Sequence, residues 1–278
     1  MSLPGGYDDV LIAARSALLD ALEALKDQCD AVIVIGAQAI YLHTGNAPVA
    51  LAEATKDSDL AVDPRLLNAQ PLLEQAMDKA GFFLNPTSAQ PGAWMNTAGV
   101  PVDLMVPEAL AGTGGKNTRG GRIPPHSNRT TRRAKGLEAA VVDNFEMEIG
   151  SLDGADPRRY GALVAGPAAL LVAKLHKIAE RVDTPHRLLD KDAHDIYRLL
   201  VATETSKLTS SLHALFEESI SRSATAEALE HLKTLFADGP EAVGSRMAGR
   251  AEEEIGDPAN VSLSVSLLAS DILGGIQS

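Results

Sequence analysis

The segment AVIVIG (31–36) constrains the fold of this chain more than any other. Its β-branched, apolar residues are typical of a strand that is buried on both faces, and a glycine ends it. The residues that follow, GAQAIYLHTG (36–45), have the pattern of a helix that stops at a glycine. A buried strand that leads directly into a helix predicts an α/β arrangement around a sheet.

The two halves of the chain differ in their hydrophobic patterns. In the first half, residues 8–28 have the apolar spacing of a helix, and a second helix is predicted at 67–80. Strands are predicted at 56–63, 82–85, 92–97 and 100–106, and one more within 138–149. From Pro167 onward the patterns are helical, beginning with PAALLVAKLHKIAERVD (167–183). We therefore predict an α/β (α+β) fold, with a small mixed-sheet domain at 1–163 and an all-helical domain at 164–278.

Composition limits the classes of function. The formal net charge of −12 disfavours a protein that coats nucleic acid along its whole surface. A single cysteine, Cys29, excludes an intramolecular disulfide, and we expect it in or near the core. The start MSLPGGYDDV lacks a secretory signal, and the apolar run at 162–173 is too short to span a bilayer. We expect a cytoplasmic protein with no membrane association.

A basic segment lies within the predicted α/β domain. Residues 112–136 contain no acidic residue, and their glycine, proline and threonine content predicts a loop. In an acidic chain this segregation of charge is a candidate surface for RNA phosphates, and a disordered surface loop is an equal alternative. Its cations are Lys116, Arg119, Arg122, Arg129, Arg132, Arg133 and Lys135.

Carboxylates interrupt two of the predicted strands. Asp57 and Asp59 are two residues apart in KDSDLAVD (56–63), so on a strand both side chains project from one face. Asp103 lies in VPVDLMV, on the face opposite its valine and leucine neighbours. If the two strands are adjacent, the three carboxylates converge into a set of oxygen ligands suited to Mg²⁺. The alternative is a group of solvated acids near strand ends.

Two further features are candidates for binding phosphate groups. At Gly36-Ala37 a strand meets a helix N-terminus, where backbone N–H groups can bind an anion, although such a glycine is often only a turn. A Walker loop is excluded, because Asn117 follows Lys116 where Ser or Thr is needed.

The second candidate for phosphate binding is a pair of helices. Lys174 and Lys177 lie on one face of the first helix, and Asp192 and Asp195 share a face of the second. A wall for a triphosphate is one interpretation; a solvated face and a salt-bridged hinge between the helices are the alternatives. The seven histidines are scattered, and they predict no zinc site.

These pieces together resemble nucleotidyltransferase-fold toxins of the AbiEii-like family, from type IV toxin–antitoxin systems. The resemblance rests on VIVIGAQAI, on the run TKDSDL at 55–60, on the VDLMV strand and on the helix pair KLHKIAER and KDAHDIYRLL. It spans about residues 31–200. Two departures are Gly36-Ala37, where the family usually has Gly-Gly or Gly-Ser, and the inserted HTGNAPVALAEA before Asp57.

The resemblance implies a reaction and assigns roles to residues. It implies Mg²⁺-dependent transfer of a nucleotide from an NTP to an acceptor hydroxyl, with tRNA 3′ ends as the acceptor in relatives and an antitoxin as a possible partner. Asp57 and Asp59 would hold the metal, and Asp103 would be the third carboxylate. The residues expected to contact the nucleotide or complete its site are Gly36, Ala37, Lys174, Lys177, Asp192 and Asp195.

Two other functions remain open. The same carboxylates would serve a nucleotidyltransferase that modifies a small molecule such as an aminoglycoside, although the arginine-rich segment argues mildly against a cationic acceptor. The Gly36-Ala37 turn, which lacks a hydroxyl, favours a catalytically silent relative that binds a nucleotide or a partner protein.

Overall fold

The structure is a computed structural model, and it describes residues 9–45, 47, 49, 55–115 and 117–277. Lys116 of the basic segment and most of the insertion at 46–54 lie outside the described residues. By contacts the chain forms two compact units. Unit 1 comprises residues 1–38, 54–134 and 145–164, and unit 2 comprises 39–53, 135–144 and 165–278.

The helices and strands follow the predicted mixture. The strands are β1 Val32–Ile35, β2 Ser58–Val62, β3 Phe83–Leu84, β4 Ala93–Met95, β5 Pro101–Pro107, β6 Arg132–Ala134, β7 Asn144–Gly150 and β8 Arg159–Ala165. The helices are α1 Asp9–Ala24, α2 Gly36–Thr44, α3 Leu73–Lys79, α4 Pro167–Ala179, α5 Asp190–Ala202, α6 Thr205–Glu217, α7 Arg222–Leu232, α8 Val243–Arg250 and α9 Pro258–Gln277. The prediction of a mixed α/β fold with helices in the C-terminal part is confirmed.

The sheet of unit 1 is mixed. Its strand order is β3-β4-β5-β2-β1-β8-β7, and β6 pairs with β5 outside this path. β2 runs antiparallel to β1 and parallel to β5, so the strand that bears Asp59 is central and has a partner on each side. The neighbouring strand β1 lies between β2 and β8, and every residue of its VIVI is buried.

Helix α1 covers one face of this sheet. It contacts β2 and β5, and its Leu18 and Leu19 are fully buried. The hydroxyl of Ser58 donates a hydrogen bond of 2.9 Å to the backbone carbonyl of Ala14 in α1. Because side chains alternate along a strand, the residues on either side of Ser58 project from the opposite face of the sheet.

Unit 2 is built mainly from helices. Helix α4 packs against α5 and α7, and α9 packs against α6 and α8. Pro167 is in the first turn of α4, where its missing N–H costs nothing and its fixed φ suits a helix. The core of the unit is aliphatic with one large aromatic ring, Phe236, which is fully buried.

Cys29 and the C-terminal helix differ from the sequence expectations. Cys29 is exposed, so the expectation of a core thiol is wrong; the short 3₁₀ segment Lys26–Ala31 places it outward.

The C-terminal helix contains a segment, Pro258–Ile276, that is long and apolar enough to cross a membrane by length and composition alone. Of the most apolar 18 residues of this segment, 28% are buried within the protein. The absence of membrane association stays a prediction.

Candidate functional site

Asp59 and Asp103 occupy matching positions on two neighbouring strands. In the parallel pairing of β2 with β5, Asp59 is the Cα partner of Asp103. Neighbouring strands lie about 4.8 Å apart, and partners in a parallel pair project from the same face. The carboxylates therefore start side by side, on the face of the sheet that α1 does not cover.

The burial pattern of the two strands shows why this face can hold charge. Val102 and Leu104, which flank Asp103, are fully buried on the α1 face, as is Leu60 beside Asp59. The two aspartates themselves are only half-buried. The alternation predicted from the sequence thus places both aspartates on the face opposite Leu60, Val102 and Leu104, and the next residues on the aspartate face, Ala61 and Met105, are apolar and buried.

Asp57 lies just before β2 and is held by its own neighbour. The hydroxyl of Thr55 donates a hydrogen bond of 2.6 Å to Oδ1 of Asp57. Thr55 is buried, whereas Asp57 is half-buried. The contact orients one carboxylate oxygen and leaves the other oxygen of the group available for a further ligand or for solvent.

The turn at Gly36 lies against Asp59. The backbone of Gly36 has a φ of +67°, a conformation that residues other than glycine rarely adopt. A Cβ built there would lie 2.1 Å from Oδ2 of Asp59. The backbone at the start of α2 can approach the carboxylate this closely only because glycine has no Cβ. The next residue, Ala37, is the second of α2. The phosphate-binding turn predicted from the sequence and the predicted metal-binding carboxylate are therefore neighbours in space.

Asp103 has a cationic partner that its sequence neighbourhood does not predict. Nη2 of Arg132 lies 2.8 Å from Oδ2 of Asp103 and also contacts the sulfur of Met105 at 3.3 Å. Nη1 of the same guanidinium donates to Oε1 of Gln90. Arg132 reaches this position because β6 pairs with β5, with Met105 opposite Arg132. A cation from the basic segment thus offsets part of the negative charge of the cluster.

The chemistry of these donors fits a divalent cation with a preference for oxygen. Asp57, Asp59 and Asp103 supply carboxylate oxygens, and Mg²⁺ is usually bound by one or two carboxylates together with phosphates and water. Asp103 already pairs with one cation, the guanidinium of Arg132. These residues would hold Mg²⁺ if the chain binds it.

The basic segment is tied to the sheet by hydrogen bonds. Arg133 donates from Nη2 to the backbone carbonyls of Ala111, Gly112 and Thr113, with distances between 2.6 and 3.0 Å. These bonds connect residues 111–113 to strand β6, which contains Arg133. In the described part of the segment, four other cations are exposed: Arg119, Arg122, Arg129 and Lys135.

Within unit 2 the predicted helix pair forms a buried ionic network. Nζ of Lys174 lies 2.6 Å from Oδ1 of Asp192 and 2.7 Å from Oδ2 of Asp195, and the side chains of all three are almost fully buried. Lys177 adds a contact of 2.8 Å to Asp192, and its side chain is 36% exposed. The network connects α4 to α5, which agrees with the alternative of a salt-bridged connection between these helices.

Charge pairing outweighs burial in this network. Burial alone would raise the pKa of Asp192, but Lys174 and Lys177 hold the pKa of that carboxyl well below its usual value. Burial would likewise lower the pKa of Lys174, but Asp192 and Asp195 raise it well above the usual value of a lysine. Lys174 and Asp192 therefore remain charged at neutral pH.

The structure groups the predicted site residues into two sets. In unit 1 it brings Gly36 and Asp103 to Asp59, with Asp57 two residues upstream. In unit 2 it brings Lys174 and Lys177 to Asp192 and Asp195. The catalytic and nucleotide-binding roles given to these residues stay predictions. Sequence reasoning missed the role of Arg132 as the partner of Asp103. In the sequence it is one of several cations in a predicted loop, and nothing in the run TTRR indicates a carboxylate partner.

Comparison with known proteins finds low similarity. No family model matches the chain, and no curated protein matches it. Among solved structures, the chain is similar to an antigenic nucleotidyltransferase-like protein from Paracoccidioides brasiliensis, with 16% identity, a TM-score of 0.39, and coverage of 80% of this chain and 94% of the other. It is also similar to a candidate nucleotidyltransferase from H. pylori, with 13% identity, a TM-score of 0.31 and 98% coverage of both chains. These values are too low to assign an activity.

Proposed function

We propose that this chain is an Mg²⁺-dependent nucleotidyltransferase that moves a nucleoside monophosphate from an NTP to an acceptor hydroxyl. The observation that carries the proposal is the pairing of Asp59 with Asp103 on adjacent parallel strands, beside the Gly36 turn. Two carboxylates in register, with a third two residues upstream of Asp59, offer hard oxygen ligands of the kind that suits a phosphoryl-type transfer.

The reaction assigns each residue a task. The acceptor oxygen forms a bond to the α-phosphorus of the NTP, the bond from that phosphorus to the bridging oxygen breaks, and pyrophosphate leaves. Asp57 and Asp59 would hold Mg²⁺, which supplies charge stabilisation to the phosphates. Asp103 would accept the proton of the acceptor hydroxyl, which requires Arg132 to release it. The backbone at Gly36-Ala37 would donate hydrogen bonds to phosphate oxygens.

RNA is the acceptor that the charge distribution favours. Arg119, Arg122 and Arg129 are exposed on the basic segment, in a chain of net charge −12. Exposed cations in a segment without acidic residues attract a phosphate backbone in a salt-dependent way. We propose the 3′ end of tRNA as the acceptor, a toxin-like role that would block translation, and an antitoxin as a partner. A cationic small-molecule acceptor is disfavoured by the same arginines.

A second candidate function is a silent relative that binds a nucleotide without transferring it. The specific observation in its favour is the ion pair between Arg132 and Asp103, which occupies the carboxylate proposed to accept a proton. The lack of a hydroxyl at Ala37 also favours it. In that case the protein binds an NTP with Mg²⁺ and releases no pyrophosphate.

Incorporation of labelled nucleotide separates the two candidates. The purified protein is incubated with Mg²⁺, total tRNA and each of four α-labelled NTPs, and the RNA is resolved on a denaturing gel. We expect one NTP to label tRNA, and Asp59→Asn to remove the signal. The matched control is Asp78→Asn, the same change at an exposed position of α3 in the same unit.

The results decide between transfer, binding and neither. If no NTP labels RNA while calorimetry detects Mg²⁺-dependent NTP binding, the silent candidate replaces the enzyme. If NTP binding is absent too, both proposals fail. The predicted triphosphate contact of Lys177 is tested separately with Lys177→Met, which should raise the KM for the NTP with little change in unfolding temperature, because that side chain is partly exposed.

A further inference from the structure

We infer that His176, Glu227 and His231 form a second cation site, in unit 2, for a borderline transition-metal ion such as Zn²⁺. The ligand atoms of these three side chains all lie within 4.8 Å of one another. None of these residues belongs to the carboxylate cluster or to the ionic network between α4 and α5. The inference does not depend on the proposed nucleotidyl transfer.

The fold brings the three residues together from two helices. Glu227 and His231 are four residues apart on α7, so they lie on one face of that helix. His176 comes from α4, which packs against α7. In a tetrahedral zinc site with bond lengths of about 2.0–2.2 Å the ligand atoms lie about 3.3–3.6 Å apart, so side-chain movements of about 1 Å complete the site.

His176 is oriented as a metal ligand. Its Nε2 lies 2.8 Å from the backbone carbonyl of Ala224, an acceptor, so this nitrogen carries the proton and Nδ1 has the free lone pair. Ligand histidines usually donate their second N–H to a carbonyl or carboxylate in this way. The side chain is buried, and the backbone of Gly136 lies so close that a Cβ there would be 2.7 Å from Cδ2 of the ring. The ring of His176 is therefore fixed before any metal binds.

The second imidazole lies beside the first. The ring centroids of His176 and His231 are 5.4 Å apart, and the rings are nearly perpendicular, at 89°. His231 and Glu227 are half-buried, so the site is open to solvent on the side of α7. Two imidazole nitrogens and one carboxylate oxygen are a donor set that suits Zn²⁺ and its neighbours better than Mg²⁺. Three protein ligands leave a fourth position for water.

A lysine already supplies positive charge to this cluster. Nζ of Lys135 lies 2.5 Å from Oε2 of Glu227, and the two side chains are 47% and 43% exposed. An exposed ion pair of this kind contributes little to stability, so a divalent ion can displace the lysine at small cost. Lys135 is therefore a competitor of the metal, and its removal should favour metal binding.

The test is a calorimetric titration of the full chain with Zn²⁺, in a buffer with excess Mg²⁺ so that the carboxylate cluster contributes little heat. We expect one Zn²⁺ per chain and a higher unfolding temperature with Zn²⁺. Loss of a group that only orients a ligand weakens metal binding by about 10–100-fold. Loss of a ligand itself should weaken Zn²⁺ binding by about 100-fold or more. The variants are His231→Ala and Glu227→Gln, with exposed His213→Ala as the matched control.

Two further variants make the outcome decisive. Lys135→Met should tighten Zn²⁺ binding, because it removes the competing cation. Asp59→Asn should leave Zn²⁺ binding unchanged, even if it abolishes nucleotide transfer. The inference is overturned if the wild-type chain binds no Zn²⁺, or if His231→Ala and His213→Ala bind it as tightly as the wild type.

Discussion

The Cα atoms of Asp59 and Asp103 are partners across the parallel pair of β2 and β5. Like charges directly opposite each other on neighbouring strands repel, typically by some tenths of a kcal/mol to about 1 kcal/mol. The pair is nevertheless placed on the face of the sheet that helix α1 leaves uncovered. A cation is the natural compensation, and Arg132 already provides one to Asp103.

Mg²⁺ should stabilise the wild-type chain against unfolding. A ligand that binds only the folded state at ten times its Kd adds about 1.4 kcal/mol. Asp59→Asn and Asp103→Asn should remove this gain, because each deletes a charged ligand, whereas Asp78→Asn should keep it. Thermal unfolding with and without Mg²⁺ measures the effect. Equal stabilisation of all four proteins would place the ion elsewhere.

Arg132→Met should tighten Mg²⁺ binding. The arginine competes with the ion for Asp103, and a partly exposed ion pair contributes up to about 1 kcal/mol, or a factor of about five in affinity. Arg129→Met, an exposed arginine of the same segment, should change the Kd little. The Kd is obtained by calorimetry without nucleotide. A weaker affinity in the Arg132 variant would show that the guanidinium supports the site instead of competing for it.

Gly36→Ala should abolish nucleotide transfer and destabilise the fold by about 1–3 kcal/mol. The left-handed backbone at this position is strained for a residue with a Cβ, and the added Cβ would collide with Asp59. Gly81→Ala is the matched control. Gly81 has a φ of +84°, and a Cβ added there would have no neighbouring atom within 4 Å, so this variant tests strain without collision. Urea unfolding and labelling assays give the two readouts. Equal effects of both variants would reduce the role of Gly36 to that of a turn.

Lys174→Met should cost about 3–5 kcal/mol at neutral pH, since it leaves buried Asp195 without this partner. Lys207→Met, in an exposed ion pair, should cost at most about 1 kcal/mol. Urea unfolding at several pH values measures both costs. A cost for Lys174→Met as small as that of the control would mean that the network contributes little to stability.

The same network predicts a pH dependence. The pKa of Asp192 is held below its usual value, so its contribution is complete above about pH 4 and is lost as the pH falls below that value. The pKa of Lys174 is raised, so its contribution is complete below about pH 10 and is lost at higher pH. The stability difference between the wild type and Lys174→Met should therefore shrink outside this window. A difference that is independent of pH would contradict the pairing.

Substitution of the exposed arginines should weaken RNA binding and its salt dependence. For single-stranded RNA, each phosphate contact contributes about 0.7 to the slope of log K against log salt, so replacing Arg119, Arg122 and Arg129 by Gln should reduce the slope by up to about 2. The control replaces exposed Lys207 and Lys233 by Gln. Binding of tRNA is measured over a series of salt concentrations. An unchanged slope would exclude the basic segment as the RNA surface.

Local patterns were sufficient to predict the centre of the sheet. The apolar run before Gly36 and the alternation around Asp103 predicted β1 and β5, and the spacing of Asp57 and Asp59 predicted that their strand has one polar face. Adjacency of β2 and β5 was stated as a condition, and the register confirms it. These features depend on side-chain periodicity, which a sequence displays directly.

Features that depend on pairing between distant segments could not be predicted. β6 consists of three residues, two of them arginines, and only its pairing with β5 makes it a strand. Strand β8 was not predicted, because Arg158, Arg159 and Gly161 interrupt its apolar pattern. His176 is about fifty residues from Glu227, so only the packing of α4 on α7 reveals their cluster.

The ion pair between Arg132 and Asp103 also has an evolutionary consequence. In lineages where residue 103 must receive a proton, selection would keep the aspartate fixed whatever happens at position 132. In lineages where the pair serves only to balance charge, the two positions would drift jointly, each replacement on one side permitting a matching replacement on the other. The substitution history of these two positions thus records whether the cluster has been maintained for chemistry or for folding.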